Sequence, residues 1–276
     1  MRIDQSILSG GLGEFPGFTS PEQIAWPKKY DLFGVGVSST TYSEVTEILI
    51  LAAKCRRPTL VDFTPVSVLS EASANLEFRS RLNSFDLVCP DGQPVRWCLN
   101  YFYKARLRER VCGTTAMLLL CEAAAHESLG VYLYGSTPDT LQKLQTKLVI
   151  LFPQLRIVGA EAPPFRPLTT KERSDVVRRI HDSGAGFVFV GLGSPKQEAF
   201  AWEQRLALDA VQLCVGAAYD FIAGTKRRAP LWMQKTGLEW LHRVLSEPAR
   251  LGRRYVVGNA RFVALVLGQM FAPKRG

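Results

Sequence analysis

Phe187-Val188-Phe189-Val190-Gly191-Leu192-Gly193-Ser194-Pro195-Lys196-Gln197-Glu198 passes from four apolar, β-favouring residues through a glycine-rich turn into a polar stretch that opens with a Ser-Pro pair. That succession is half of a crossover unit, and parallel strands need crossovers because a tight hairpin cannot join them. Similar β-rich runs lie at 32–37, 59–64, 87–89, 131–134, 156–159 and 211–215, and most intervals between them carry a helical period of apolar residues. Helix starts are marked by Thr41-x-x-Glu44 and Thr169-x-x-Glu172, both capping-box patterns. Thr137-Pro138 and Ser194-Pro195 each offer a cap residue with Pro in the first turn. The alternation predicts an α/β fold, a mainly parallel sheet with helices on both faces.

The 276 residues, 47% of them hydrophobic, suffice for one large domain with an appendage. Residues 1–29 are rich in Gly, Pro and Ser without a clean period and read as a loosely ordered leader; 30–224 carry the α/β alternation; 225–276 form a basic tail. The tail holds eleven Lys and Arg against Glu239 and Glu247, a balance of +9 that equals the net charge of the whole chain. Leu231, Trp232, Met233, Leu238, Trp240, Leu241, Val244 and Leu245 are interleaved with those cations, the pattern of a basic amphipathic helical segment on an anionic membrane surface. Such a tail is expected to be mobile in solution and to order when it meets membrane or substrate. Its best apolar run, 262–271, is ten residues long. A bilayer needs about 20, so attachment is expected to be peripheral. The six cysteines contain no C-x-x-C pair and fall mostly in apolar runs, which fits reduced thiols in the cytoplasm. The N-terminus lacks the basic-then-apolar pattern of a signal peptide.

In an open parallel sheet, ligands collect at the carboxyl ends of the strands, where loops lead into helix N-termini whose free N–H groups favour anions. Four such junctions stand out: Val61-Asp62-Phe63-Thr64-Pro65, Val88-Cys89-Pro90-Asp91-Gly92-Gln93-Pro94, Leu133-Tyr134-Gly135-Ser136-Thr137-Pro138, and the quoted stretch from Val190 onward. Gly135, Gly191 and Gly193 let backbone amides approach a phosphate, with Lys196 beside the last two. Each feature also has an ordinary structural role. Glycines at strand-to-helix turns are frequent for steric reasons alone, an isolated Asp91-Gly92 pair is a turn signal, Thr64 packs or caps, and Glu198 and Asp220 read equally as solvated charges.

His126, His181 and His242 lack metal-ligand spacing; neither a G-x-S-x-G elbow nor a G-x-x-x-x-G-K-[ST] loop is present; and Gly34-Val35-Gly36 is not completed into a dinucleotide fingerprint. Hydrolase, P-loop and dehydrogenase readings weaken together, and neither a metal nor a cofactor is expected. Without an Asp-x-Asp pair to hold a divalent ion, cations of the protein are expected to neutralise a leaving phosphate.

Taken in order, Pro90-Asp91-Gly92-Gln93-Pro94-Val95, Arg110-Val111-Cys112-Gly113, Tyr134-Gly135-Ser136, Val190 to Glu198, and Val215-Gly216-Ala217-Ala218-Tyr219-Asp220-Phe221-Ile222-Ala223-Gly224 resemble the WecG/TagA/CpsF glycosyltransferase family. Arg228-Ala229-Pro230-x-Trp232-Met233-Gln234, Gly237-Leu238-Glu239-Trp240-Leu241-x-Arg243 and Glu247-Pro248-x-Arg250-Leu251-x-Arg253-Arg254-Tyr255 continue the similarity, which runs from about Phe33 to Asn259.

The resemblance implies a Rossmann-like fold of the GT-E type and an inverting, metal-independent transferase of bacterial surface polysaccharide synthesis. Its donor would be a UDP-sugar (of N-acetylmannosamine, its uronic acid or glucose type) and its acceptor a polyprenyl-diphosphate-linked saccharide at the inner face of the cell membrane. It implies Asp91 as general base with Thr64 beside it, and Arg250, Arg253 and Arg254 on the nucleotide diphosphate. Gly135, Gly191, Gly193, Lys196, Gln197, Glu198 and Asp220 would surround UDP. Self-association through an exposed apolar patch is compatible with the resemblance. The chain departs from the family at Val66, where members commonly carry Asn, and at Val68, where an acidic residue is missing, a difference that bears on sugar specificity. The competing reading is a non-catalytic nucleic-acid or acidic-polymer binder that uses the tail as its electrostatic footprint. Phosphate binding has no need of Trp232, Met233 and Trp240, so no nucleic-acid partner is expected.

Overall fold

The computed structural model describes residues 24–271, the side chains of Arg250, Arg253 and Arg254 excepted. The expected leader therefore lies mostly outside the described residues; within them, Ile24 is buried in the core and Trp26 packs beside it. Strands β1 (Lys29–Leu32) and β2 (Val35–Ser38) form an antiparallel hairpin. The single run expected at 32–37 is broken because Phe33 and Gly34 take positive φ, 60° and 88°, the twist that a two-residue hairpin turn demands.

From there the chain alternates. Helix α1 (Tyr42–Lys54) leads to β3 (Thr59–Thr64), α2 (Val66–Ala74), α3 (Leu76–Asn83) and β4 (Leu87–Pro90). Next come α4 (Gln93–Tyr103), α5 (Gly113–His126), β5 (Gly130–Gly135), α6 (Pro138–Leu151), β6 (Arg156–Glu161) and α7 (Thr170–Asp182). Then β7 (Phe187–Gly191), α8 (Lys196–Glu203) and β8 (Val211–Cys214) complete the sheet, followed by α9 (Ala218–Ala223), α10 (Leu231–Lys235), α11 (Glu239–Ser246) and α12 (Pro248–Phe271).

The six strands β3 to β8 are all parallel, in the order β4-β3-β8-β7-β5-β6. Every residue of β3, β4, β5 and β8 is buried, as expected of strands covered on both faces. The two-residue period divides the faces. Val61, Phe63, Leu133 and Phe189 pack with α1, α5, α6 and α9. On the other face Leu60 and Val88 meet α2, α3 and α4, while Tyr134 and Val190 meet α7 and α8. Asp62 and Thr64 share this second face. The chain leaves β3 toward one edge and β5 toward the other, so the carboxyl ends of β3, β8, β7 and β5 open onto the region where such sheets bind ligands.

Thr41, Thr137 and Thr169 all cap, each hydroxyl accepting from the N–H three residues on, but of the two expected capping boxes the one at Thr169 closes, whereas Glu44 accepts from the Thr40 hydroxyl instead. Ser194 does not cap α8. The carbonyl of Gly193 instead accepts from the N–H groups of Lys196 and Gln197 at 2.9 and 3.1 Å, so backbone closes the turn. The tail is docked rather than free. Phe262 is buried in the second-face core, edge-on to Phe33, and Ser70 Oγ donates to the Gly258 carbonyl at 2.8 Å. Arg261 Nη1 donates to the Ser70 carbonyl at 3.2 Å. Among the described residues no helix is long and apolar enough to cross a membrane.

Candidate active site

Asp91 follows the last residue of β4, and its N–H donates to the carbonyl of Thr64, the last residue of β3, at 3.2 Å. Register sets Thr64 against Pro90, which puts the Asp91 carboxylate at the carboxyl edge of the sheet. A quarter of its side chain (25%) stays open, enough to meet a ligand. Arg110, from the segment between α4 and α5, places Nη1 3.9 Å from Asp91 Oδ1, too long for a hydrogen bond. Its Nη2 lies 2.7 Å from Glu239 Oε2 and 3.3 Å from Gln234 Oε1. Arg243, one helical turn beyond Glu239, sits 3.7 Å from Glu239 Oε1 with its guanidinium over the Phe221 ring.

Burial lifts the Asp91 carboxyl above its ordinary value; Arg110 opposes this, Glu239 reinforces it, and Arg243 and the Gly113 N–H oppose it again. The outcome is a carboxylate more basic than a free aspartate. Glu239 itself would be pushed up by burial, but Arg110 and Arg243 outweigh that and hold it below the usual carboxylate range.

Thr64 is fully buried, and its hydroxyl donates to Asp62 Oδ2. Asp62 is sealed from solvent and faces Glu198 of α8, which is equally sealed. Burial and then the Glu198 charge drive the Asp62 carboxyl well above its ordinary value, and burial also raises Glu198. The carboxyl oxygens left without a partner are Asp62 Oδ1 and Glu198 Oε2. One proton shared between the two groups satisfies both. Glu198 Oε1 accepts from Gln197 Nε2 at 3.2 Å, and Gln197 Oε1 accepts from the Gly193 N–H at 3.2 Å. Gln197 and Glu198 thus point inward and hold the Gly193 turn, whereas Lys196 is exposed.

Gly135 takes a φ of 129°, and a Cβ there would stand 2.6 Å from the Gly191 carbonyl carbon. Only glycine lets the ends of β5 and β7 come this close, with the Ser136 N–H donating to the Gly191 carbonyl at 3.1 Å. Asp220, on α9, pairs with Lys226 at 3.2 Å, and Lys226 with Glu247 at 3.0 Å, which ties the tail to α9. Arg250, Arg253 and Arg254 lie on α12, and their side chains are outside the described residues. Two surface depressions of about 390 Å³ lie elsewhere, one beside Thr170, Arg173 and His181, the other beside Asp139, Lys143 and Ile150; neither touches Asp91. Among the described residues no three His, Cys, Asp or Glu side chains gather as a metal site.

Over residues 30–276 the chain matches the family described as Glycosyl transferase WecG/TagA/CpsF family. It belongs to that family. The parallel sheet and the tail that folds back to Asp91 are both within the matched span.

In this glycosyltransferase the structure brings further residues to the site. Arg228, from the tail, donates to Cys112 Sγ at 3.2 Å and reaches Thr115 Oγ1 at 3.5 Å, at the N-terminus of α5. Asp62 had a signal in the sequence, a carboxylate in an otherwise apolar strand on the same face as Thr64. Arg110 and Glu239 stood in the sequence only as members of two separate motifs, with no sign that they pair, because the 128 positions between them are closed only by the fold.

Proposed function

We propose that this glycosyltransferase moves a sugar from a UDP-sugar to a polyprenyl-diphosphate-linked saccharide with inversion, using Asp91 as general base. The observation that carries the reading is Asp91 itself, partly open at the end of β4 and ringed by arginines of the body and the tail, Arg110 and Arg243. Asp91 takes the proton of the acceptor hydroxyl as that oxygen bonds to the anomeric carbon. The bond from that carbon to the diphosphate breaks on the opposite face, and its electron pair leaves with UDP. Guanidinium groups and the positive dipole ends of α6 and α8 offset the charge that develops, so cations of the protein serve where other transferases use a metal. In this reading Gly135, Gly191, Gly193, Lys196 and Asp220 surround the nucleotide, Gln197 and Glu198 brace its turn, and Arg250, Arg253 and Arg254 reach the diphosphate. Residues 30–224 are the catalytic domain and 225–276 the appendage.

Attachment to the inner membrane face is part of the same proposal. Leu231, Trp232, Leu245, Val256, Val263 and Leu267 on α10 to α12 are each about half or more exposed, among the tail's cations. An interfacial helix uses such apolar groups, and polyanion binding does not.

The reading is tested by UDP release from a panel of UDP-sugars (N-acetylmannosamine, its uronic acid, glucose and N-acetylglucosamine) with a short-chain polyprenyl-diphosphate-linked sugar in detergent. Turnover with one donor is expected and names the substrate; absence of UDP binding overturns the proposal.

A further inference from the structure

Among the described residues Arg110 is the cation within 4 Å of Asp91, yet its hydrogen bonds go elsewhere. Nη2 meets Glu239 at 2.7 Å and Gln234 at 3.3 Å, while Nη1 stops 3.9 Å short of Asp91. Both partners that draw the guanidinium away belong to the tail, Gln234 to α10 and Glu239 to α11. Arg110 and Glu239 keep only 11% and 17% of their side-chain surface, so little water is available to weaken the pair.

We infer that Glu239 is a positioning residue: it holds the Arg110 guanidinium off the Asp91 carboxylate, so that docking of α11 creates the free carboxylate on which the proposed reaction depends. This inference rests on the reading of Asp91 as base. The physical reason is competition for one cation. A bidentate Arg–carboxylate pair is among the strongest side-chain contacts, and a base locked in such a pair accepts a proton poorly. With Glu239 on the guanidinium, Asp91 feels Arg110 at a distance and keeps its oxygens for the acceptor hydroxyl.

The other groups that face Asp91 are accounted for. From α5 the Gly113 N–H points at it, from α11 both Glu239 and Arg243, and from the sheet the Asp62 and Cys89 side chains feel its charge. Arg243 is itself occupied, by Tyr255 and Glu239. Among the described residues, Arg110 is the cation whose closest ion pair is lost once Glu239 is neutral, whereas Arg243 keeps its Tyr255 partner.

The experiment is a carbon-13 NMR titration of the Asp91 carboxyl in full-length, ligand-free protein, in wild type, Glu239→Gln, Arg110→Gln and the double variant. Glu239→Gln is expected to lower the Asp91 midpoint by about one pH unit as Arg110 closes on it. In the Arg110→Gln background the same change is expected to do much less. Turnover of Glu239→Gln is expected to fall about three- to tenfold in kcat, with the acid limb of its pH profile moved to lower pH and the donor KM changed less. Should Glu239→Gln fail to fold, Glu239→Asp keeps the charge but retracts it, and its midpoint should lie below that of wild type. An Asp91 midpoint that is unchanged or raised without Glu239 overturns the inference, as does an equal drop with and without Arg110. Because the titration needs no turnover, it stands apart from the function itself. An Asp91→Asn enzyme of full activity would remove the base assignment and leave the titration result intact.

Discussion

Asp62 on β3 and Glu198 on α8 face one another with no solvent exposure, and Asp62 Oδ1 and Glu198 Oε2 are buried there together with the Ser194 hydroxyl, which also acts on Glu198. The pair ties the strand end that carries Thr64 to the turn that carries Gly193, through Thr64 on one side and Gln197 on the other. It lies beneath the site and holds its two halves in register.

A shared proton makes stability fall with rising pH. The folded pair keeps a proton that the unfolded Asp62 gives up near pH ~4, so the contribution is complete below that pH and is lost as pH climbs toward the raised folded value. Asp62→Asn replaces the protonated acid by an amide that still donates to Glu198. Its urea midpoint is expected to change less than that of wild type between pH 4.5 and 8. Asp62→Ala deprives the buried Glu198 of the facing carboxyl group and is expected to cost about 3 kcal/mol.

The two glycine turns should respond differently to alanine. At Gly135 the new Cβ meets backbone of Gly191 at 2.6 Å, and backbone cannot rotate aside. A loss of about 3 kcal/mol in thermal unfolding is expected. At Gly193 nothing stands within 4 Å and only the φ of 77° opposes alanine. About 1 kcal/mol is expected there.

Phe262 fastens α12 to the body. It is 8% exposed and packs among the side chains of the second-face core. Phe262→Ala is expected to cost about 3 kcal/mol. Amide exchange across 248–271 should rise ahead of exchange in the sheet; uniform exchange with wild type would contradict the docking role.

The strands from Thr59 onward were legible because a parallel sheet buried on both faces writes itself as short apolar runs; the observed ends lie within two residues of the runs read from the sequence. The hairpin at Phe33 was not, since a bulky residue at positive φ leaves no mark in a one-dimensional pattern. Ser194 looked like a cap, but a glycine carbonyl one residue earlier does that work. Asp91 was legible as a carboxylate in a loop after a strand. What surrounds it was not, because Arg110, Glu239 and Arg243 come from segments that meet only when the tail folds back. The tail reads as a basic run, yet two of its cations, Lys226 and Arg243, pair with carboxylates within the protein.

The most direct measurement is turnover and UDP binding of Asp91→Asn beside wild type, with the donor and acceptor that the panel identifies. The account predicts turnover lower by about 10²–10⁴-fold with UDP binding near normal, because the amide keeps the shape but accepts no proton. Full turnover in Asp91→Asn would contradict it.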